Sequence, residues 1–206
     1  MPDSSATIEI YGRFAPVYDV VYGALLQPGR RRAMTRLSPG RGESILEIGV
    51  GSGLSAGAYP PWCRVVAIDV SATMMERARA RLARQAVRHV VLCRMDAAHL
   101  AFPDASFDAI YAPYVINVVS DPVRVAREML RVCRPGGRLV LLNHFDRHDR
   151  PQGAVDRFVG RVAARMSGVN WDLDLRTFLH DTGLTPWSLE PVNLLSVSSV
   201  MVCYKA

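Results

Sequence analysis

Membrane-length apolar runs, paired cysteines and lysine are absent or nearly absent from this chain. No apolar run approaches the roughly 18 residues that a membrane-spanning helix needs. The first ten residues are acidic and polar, whereas a secretory signal is basic and then apolar. The cysteine spacing fits neither a zinc-binding pattern nor a C-x-x-C pair. We therefore expect a cytoplasmic protein without a metal site. Its four cysteines should be reduced and buried: Cys63, Cys93, Cys133 and Cys203.

The charge of the chain comes almost entirely from arginine. Lys205 is the only lysine, and the other 24 basic residues are arginine. Codon usage in a GC-rich genome explains that ratio, but it does not explain the net charge of +6. A positive sign favours an acidic partner, such as a phosphate compound, a nucleic acid or an anionic membrane.

Short apolar segments alternate with helical patterns along the chain, as in βαβ units. The segments carry apolar residues on both faces, which is typical of strands in a buried parallel sheet. We predict an α/β fold with a doubly wound sheet. The predicted strands are 44–49, 64–69, 89–94, 107–112 and 137–143, followed by a C-terminal antiparallel hairpin from 185–193 and 197–205.

Two of the predicted helices carry recognisable start signals. The helix at 71–85 begins at Ser71 or at a capping box of Thr73 with Glu76. The helix at 121–134 opens with Asp and Pro and is followed by "PGG".

The first strand continues into "LEIGVGSG", where Gly49, Gly51 and Gly53 predict a tight turn that a ligand can approach closely. The G-x-G-x-G spacing misses the dinucleotide fingerprint G-x-G-x-x-G by one place. Glu47, just before the glycines, would repel a pyrophosphate but can hold an ammonium group. An NAD-binding domain is therefore disfavoured.

Acidic residues also follow the next two strands. Asp69 ends the second strand, where it can accept hydrogen bonds from ribose hydroxyls. Asp96 follows the third strand and can accept from the exocyclic amine of adenine. These positions predict a ligand with a cationic amino-acid end, a ribose and an adenine. S-adenosyl-L-methionine (SAM) has all three and no pyrophosphate.

At these residues the chain resembles the class I SAM-dependent methyltransferases. The resemblance extends from about residue 40 to 145. It includes "ExGxGxG" at 47–53, Asp69, "DAxxLxFPDxSFD" at 96–108 and "RPGGRLVL" at 134–141. It implies a Rossmann-like, mostly parallel seven-stranded sheet with an antiparallel last strand, and S-adenosyl-L-homocysteine (SAH) as product. The predicted cofactor-binding residues are Tyr18, Glu47, Gly49, Gly51, Gly53, Asp69, Val70, Met74, Asp96, Ala97 and Pro113.

The resemblance also implies one domain of 206 residues with four parts. They are an N-terminal helical cap at 1–40, a SAM-binding core at 41–145, a helical insertion at 146–184 and the hairpin at 185–206.

The segment after the fourth strand bears on the substrate. Methyltransferases that act on base amines usually carry Asn, Asp or Ser there, followed by Pro-Pro and an aromatic residue. This chain has Ala112-Pro113-Tyr114, which disfavours a nucleic-acid substrate. The segments "YGRFAPVYDVVYG" (11–23), "PYVINVVSDP" (113–122) and "NHF" (143–145) resemble the short bacterial phosphatidylethanolamine N-methyltransferases.

That second resemblance implies stepwise methylation of phosphatidylethanolamine to phosphatidylcholine, with a phospholipid substrate and no obligate protein partner. Two alternatives stay open. One is a small-molecule or quinone-precursor C-methyltransferase of the same fold, and the other is a non-catalytic SAM-binding regulator.

The N-terminal tyrosines and one histidine are the candidate catalytic and substrate-binding groups. Pro16 divides the first segment into two short helices that can fold over the pocket, where tyrosine faces bind a quaternary amine. Alternatively, Tyr18 and Tyr22 only pack against neighbouring apolar residues. The predicted catalytic residues are Tyr18 and His144, the latter as proton acceptor, although methyl transfer by positioning alone needs no base. The predicted substrate contacts are Tyr11, Tyr22, Tyr114, Asn117 and Asn143.

A lipid substrate requires a docking surface, and the segment 150–166 is the best candidate. Its helical periodicity puts apolar residues on one face and arginines on the adjacent flank, as in an interfacial helix. Alternatively, the apolar face packs on the core of the protein. The basic run at 29–34 can add to the same surface. The predicted contacts with the anionic inner face of the cytoplasmic membrane are Arg150, Arg157, Phe158, Arg161 and Arg165.

Overall fold

A mixed β-sheet forms the centre of the computed structural model, which describes residues 26–145, 173–192 and 198–206. The seven strands lie in the spatial order β3-β2-β1-β4-β5-β7-β6. Strands β1 to β5 are parallel to one another, while β7 is antiparallel to both β5 and β6. The strands are β1 (Ser44–Ile48), β2 (Arg64–Asp69), β3 (Val90–Arg94), β4 (Phe107–Pro113), β5 (Cys133–Asn143), β6 (Pro186–Val192) and β7 (Ser198–Tyr204).

The predicted fold class and the C-terminal hairpin are confirmed by this topology. The described helices are α1 (residues 26–37), α2 (Ala72–Arg84), α3 (Pro122–Val132) and α4 (Leu175–Thr182), with a short 3-10 turn at Ala56–Ala58. None of the helices in these ranges combines the length and the apolar character needed to cross a bilayer.

Side-chain caps fix the starts of two helices next to the site. Ser71 precedes α2, and its hydroxyl accepts a hydrogen bond from the Met74 N–H at 3.3 Å. The alternative capping box of Thr73 with Glu76 is therefore wrong, because both residues lie inside the helix. Asp121 precedes α3 and accepts from the Arg124 N–H at 2.8 Å, as the Asp-Pro pair predicts.

The fifth strand begins four residues earlier than its apolar pattern predicts. Phe107 pairs with Cys133, but the next pair joins Ala109 to Arg138. The intervening "RPGG" is therefore accommodated as an irregularity in the β4–β5 ladder, where the left-handed Gly136 has a φ of +72°. The run of Pro and Gly therefore follows the end of α3 at Val132, as predicted, and also forms a bulge in β5.

Helices cover both faces of the central strands, which explains why these strands are largely apolar. Leu46 and Ile48 of β1 belong to one buried cluster, together with α3 and α4 residues such as Met129 and Phe178. Ile45 points to the opposite cluster, which includes residues of α1 and α2. The two clusters hold a parallel sheet between helical layers.

The cysteines are part of this packing. All four are free thiols; Cys63, Cys133 and Cys203 are buried and Cys93 is partly buried. The predicted burial is confirmed for three of the four cysteines, and Cys93 is only partly buried.

Three of the four predicted parts of the domain are described only in part. Residues 26–37 of the predicted cap are helical, and the described end of the predicted insertion contains α4. The division of the chain into these parts stays a prediction.

Candidate active site

A cavity of about 370 Å³ opens at the carboxyl ends of β1, β2 and β4. Strand β1 lies between β2 and β4, so the chain order reverses at this point in the sheet. Crevices at such switch points are the usual ligand sites of open α/β sheets. The predicted site residues that line the cavity are Gly49, Gly51, Asp69, Val70, Met74, Asp96, Ala97, Pro113 and Tyr114.

The turn after β1 depends on glycine for two different reasons. Gly49 has a φ of +70°, and a Cβ there would come within 2.7 Å of Val115 Cγ2. Gly51 has a φ of +54°, but a Cβ there would meet no atom within 4 Å. Gly49 therefore permits a close approach to the segment after β4, while Gly51 faces the open space of the cavity. Gly53 lies outside the lining and packs against Ala78 of α2.

Asp69 connects the glycine turn to the start of α2. Its Oδ2 accepts a hydrogen bond from the Gly51 N–H at 2.8 Å, and its Oδ1 accepts from the Ser71 N–H at 2.9 Å. Burial raises the pKa of the Asp69 carboxyl, and the main-chain hydrogen bonds oppose that shift. Each carboxylate oxygen keeps a further lone pair. Ribose hydroxyls can therefore bind there without displacing the main-chain bonds.

Glu47 lies deeper than the sequence predicts. It is fully buried and does not line the cavity, and its Oε2 accepts a hydrogen bond from the Tyr59 hydroxyl at 2.8 Å. Its Oε1 has no hydrogen-bond partner among the residues that the structure describes. Burial raises the pKa of Glu47 to about 7, against the opposing effects of Tyr59 and of the Arg30 charge. An ammonium group beside Oε1 would stabilise the ionised form.

Asp96 lies at the rim of the cavity. Its Oδ1 accepts a hydrogen bond from the Ala98 N–H at 2.9 Å, which fixes the turn after β3. Its side chain is 59% exposed and lies 3.3 Å from His99 Nδ1. This geometry leaves the carboxylate accessible to a ligand amine.

Tyr114 follows β4 in a conformation that non-glycine residues rarely adopt. Its φ is +60°, and its N–H donates to the Leu142 carbonyl oxygen at 2.6 Å. Its ring lies 5.0 Å from the guanidinium carbon of Arg30, and 5.5 Å from the ring of His144 between centroids. Strained backbone of this kind is concentrated at functional sites.

Arg30 is a cavity residue that the sequence analysis missed, since it considered the basic run at 29–34 only as part of a docking surface. Helix α1 brings Arg30 beside Tyr114, 84 positions further along the chain. Only the unusual density of arginine in that run could have drawn attention to it.

His144 does not line the cavity but lies behind Tyr114. Asn117 holds its main chain: the amide Nδ2 donates to the His144 carbonyl oxygen at 2.7 Å, and Oδ1 accepts from the His144 N–H at 3.1 Å. The imidazole Nδ1 lies 3.2 Å from Ser198 Oγ. If Nδ1 carries the proton and donates to Ser198, Nε2 is the basic nitrogen. The catalytic role of His144 stays a prediction.

The two predicted asparagine contacts lie away from the cavity. Asn117 is 2% exposed and is occupied by the main chain of His144. Asn143 is fully buried in β5, with Nδ2 3.5 Å from the Ala112 carbonyl oxygen. In this geometry both side chains support the ends of β4 and β5 and do not face a ligand.

The remaining predicted site residues lie outside the described residues. They are Tyr11, Tyr18 and Tyr22 of the predicted cap, and Arg150, Arg157, Phe158, Arg161 and Arg165 of the predicted docking segment. Within 26–145, 173–192 and 198–206, no three His, Cys, Asp or Glu side chains cluster as the ligands of a metal would.

Comparison with known proteins agrees with this geometry. Residues 46–141 match the family model described as a methyltransferase domain. The chain is 41% identical over 152 residues to the phosphatidylethanolamine N-methyltransferase of Cereibacter sphaeroides, an alignment that covers 73% of this chain and 74% of that protein. The chain belongs to the class I SAM-dependent methyltransferases.

Other members of this methyltransferase family are similar over shorter or more divergent stretches. The demethylmenaquinone methyltransferase of Clavibacter sepedonicus is 40% identical over 113 residues, which are 54% of this chain but only 45% of that relative. A SAM-dependent methyltransferase of Thermotoga maritima has the same fold, with a TM-score of 0.72 at 20% identity over 96% of this chain and 99% of that one.

The residues of this methyltransferase fit its cofactor. When bound, SAM supplies an electrophilic methyl group and leaves as SAH. Asp69 and Asp96 line the cavity and would accept from the ribose and the adenine of the cofactor. Glu47 does not line it, so its buried carboxylate would favour the ammonium of the cofactor through its charge. Gly51 leaves the room in which these groups would lie. The apolar side chains of Val70 and of Met74 in α2 also line the cavity, and an adenine ring would pack against them.

Proposed function

We propose that this methyltransferase methylates the amine of phosphatidylethanolamine, stepwise towards phosphatidylcholine. The observation that carries the proposal is the match to the C. sphaeroides enzyme, which extends over about three quarters of both chains. The matches to quinone methyltransferases cover a smaller share of their partners.

The cavity is compatible with a lipid headgroup. Leu26, Val118 and Val119 line it with apolar surface, while Arg30 adds a positive charge. A phospholipid amine combines an apolar body, an anionic phosphodiester and a cationic nitrogen. The net charge of +6 agrees with an anionic substrate surface.

The reaction requires a neutral nitrogen. The ammonium of phosphatidylethanolamine must first give up a proton, because only the free lone pair could accept the methyl group that SAM would supply, with SAH as the leaving group. We propose His144 as the proton acceptor or as the group that orients the acceptor. Its main chain is fixed by Asn117, and its ring contacts Tyr114 at the cavity wall.

The decisive assay uses SAM with a labelled methyl group and vesicles that contain phosphatidylethanolamine. We expect label in the mono-, di- and trimethylated lipids, and none in phosphatidylglycerol vesicles. An enzyme that labels a demethylated quinone precursor and leaves phosphatidylethanolamine unlabelled would contradict the proposal. Binding of SAM without transfer to any lipid or quinone would favour a regulator.

The second candidate is a quinone-precursor C-methyltransferase. It is favoured by the 40% identity to the demethylmenaquinone methyltransferase. Such a substrate is a neutral or phenolic ring, so it needs no cation-binding tyrosines. This candidate predicts that Tyr18→Ala, if the protein stays folded, retains activity on the ring substrate.

Substitutions of Tyr18 test whether tyrosine rings bind the cationic amine of the proposed lipid substrate. Tyr18→Phe keeps the aromatic face and removes the hydroxyl, so we expect partial activity. Tyr18→Ala removes the face and should lose nearly all activity, since each cation–π contact contributes about 0.5–2 kcal/mol. Equal, near-wild-type rates for both variants would rule out binding of the amine by the Tyr18 ring.

We also propose that the enzyme docks on the anionic inner face of the cytoplasmic membrane through the segment 150–166. Arginines near an anionic surface add about 1 kcal/mol each. In vesicle co-sedimentation, binding should require anionic lipid and decrease with salt. It should weaken when Arg157, Arg161 and Arg165 are changed to Glu. Undiminished binding by the triple variant would move the docking surface to the N-terminal segment.

A further inference from the structure

Arg30 stands out among the arginines of α1. Its neighbours Arg32 and Arg36 pair with Glu190 of β6. Arg30 instead lines the cavity, with its guanidinium over the ring of Tyr114. Its Nη1 is buried and has no hydrogen-bond partner among the described residues. No carboxylate of those residues lies within ion-pair distance of it.

A buried guanidinium nitrogen without an acceptor is costly, because the group loses its hydration and gains nothing in return. The stacking on Tyr114 holds the guanidinium in place by its face and leaves its in-plane N–H groups able to donate hydrogen bonds to a ligand. This arrangement is typical of an oxyanion-binding site, since a guanidinium binds carboxylate and phosphate oxygens in a bidentate manner.

Two further orphaned polar atoms accompany Arg30. Glu47 Oε1 and the Tyr111 hydroxyl are both fully buried and without a partner in the described parts of the chain. Burial raises the pKa of both Glu47 and Tyr111, and the charge of Arg30 opposes the shift in each, so the three groups share one electrostatic environment. An unpaired donor near an unpaired carboxylate matches a ligand that carries a carboxylate and an ammonium together.

We propose that Arg30 is the oxyanion-binding residue of this cavity and that it pairs in the first place with the methionine carboxylate of SAM. The phosphodiester of a lipid substrate offers the same chemistry and is the other source of an oxyanion. The carboxylate assignment depends only on the cofactor, whereas the phosphodiester assignment rests on the proposed function.

Binding measurements separate these sources without requiring activity. The probes are SAH and 5′-deoxy-5′-methylthioadenosine, which keeps the adenosine but lacks the amino acid, and affinity is measured by calorimetry. Arg30→Gln should weaken SAH binding by about 10- to 100-fold, the range for a lost charged hydrogen bond. It should leave methylthioadenosine binding within about twofold, which also demonstrates an intact site.

Matched variants control for charge and packing. Arg31 is exposed on the same helix, so Arg31→Gln removes an equal charge and should bind SAH like the wild type. Arg30→Lys keeps the charge but loses the bidentate geometry and the flat stacking surface, so its loss should be intermediate.

If SAH binding is unchanged in Arg30→Gln while the affinity for glycerophosphoethanolamine falls tenfold or more, Arg30 binds a phosphodiester and the oxyanion role stands. Unchanged affinity for both ligands would overturn the inference. An equal loss for SAH and methylthioadenosine would also overturn it, because Arg30 would then act on the shape of the site and not on an oxyanion.

Discussion

The two sides of the cavity use their polar residues differently. At the ends of β1, β2 and β3, the glycine turn, Asp69 and Asp96 line the cavity as predicted. At the ends of β4 and β5, Asn117 and Asn143 are buried and bond to main chain within the protein. The first side presents groups to a ligand, and the second mostly supports the loops that present them.

The difference reflects how each side is built. On the first side the main chain itself turns at the strand ends, and Asp69 accepts hydrogen bonds from that turn. On the second side, long-range hydrogen bonds and ring contacts link Tyr114, Asn117 and His144. Local motifs predict the first kind of site well and the second kind poorly.

The largest expected effect separates the two glycines of the first side. Gly49→Ala should destabilise the protein by about 2–5 kcal/mol, because left-handed strain and overpacking against Val115 add together. Gly51→Ala should cost only about 1–2 kcal/mol of stability from strain. Its Cβ would enter the cavity, however, and weaken SAH binding. Urea unfolding and calorimetry measure both effects; equal loss of stability in the two variants would show that the contact with Val115 is unimportant.

Glu47 should give the next largest effect, and it depends on pH. Because burial raises its pKa from 4.5 to about 7, the folded protein binds more protons than the unfolded chain between these values. The free energy of unfolding should therefore fall by about 3 kcal/mol as pH rises through this window. Glu47→Gln should remove that decline, as measured by urea unfolding from pH 4.5 to 8.

Glu43 supplies the control for this experiment. A hydrogen bond from Arg138 lowers the pKa of Glu43, so its contribution to stability is lost as pH falls and not as it rises. Glu43→Gln should keep the decline between pH 4.5 and 7 that Glu47→Gln removes. The same slope in both variants would mean that Glu47 is not the titrating group.

Asp69 should contribute more to cofactor binding than Asp96. Asp69→Ala removes a buried acceptor that also holds the glycine turn, so SAH affinity should fall by about 1–3 kcal/mol. Asp96→Ala should cost less, because its side chain is 59% exposed and competes with water. Unchanged affinity in a folded Asp69→Ala protein would rule out its role with the ribose.

Asn117 should have the smallest effect, and it tests the supporting role of the second side. Asn117→Ala removes two hydrogen bonds to the His144 main chain and should cost about 1–2 kcal/mol of stability. We expect kcat to fall while the KM for the proposed lipid substrate stays near the wild-type value. A raised KM with unchanged stability would instead favour the direct substrate contact that the sequence predicts.

The sequence predicted the sheet, the helix starts at Ser71 and Asp121, and the turn and aspartates that line the cavity at the ends of β1, β2 and β3. These features depend on residues close together in the chain: apolar segments, capping side chains and the Gly49–Gly51 turn that β1 runs into. Backbone conformation and short-range hydrogen bonds decide them, so a local pattern carries the information.

Only the tertiary structure decided which polar groups meet. It buried Glu47 against Tyr59, turned Asn117 towards His144, and brought Arg30 over Tyr114. No local pattern distinguishes Arg30 from the arginines beside it, because its burial depends on how α1 packs beside the segment after β4. The sequence by itself determined the glycine turn at the end of β1, while helix packing across the sheet decided which arginine lines the same cavity.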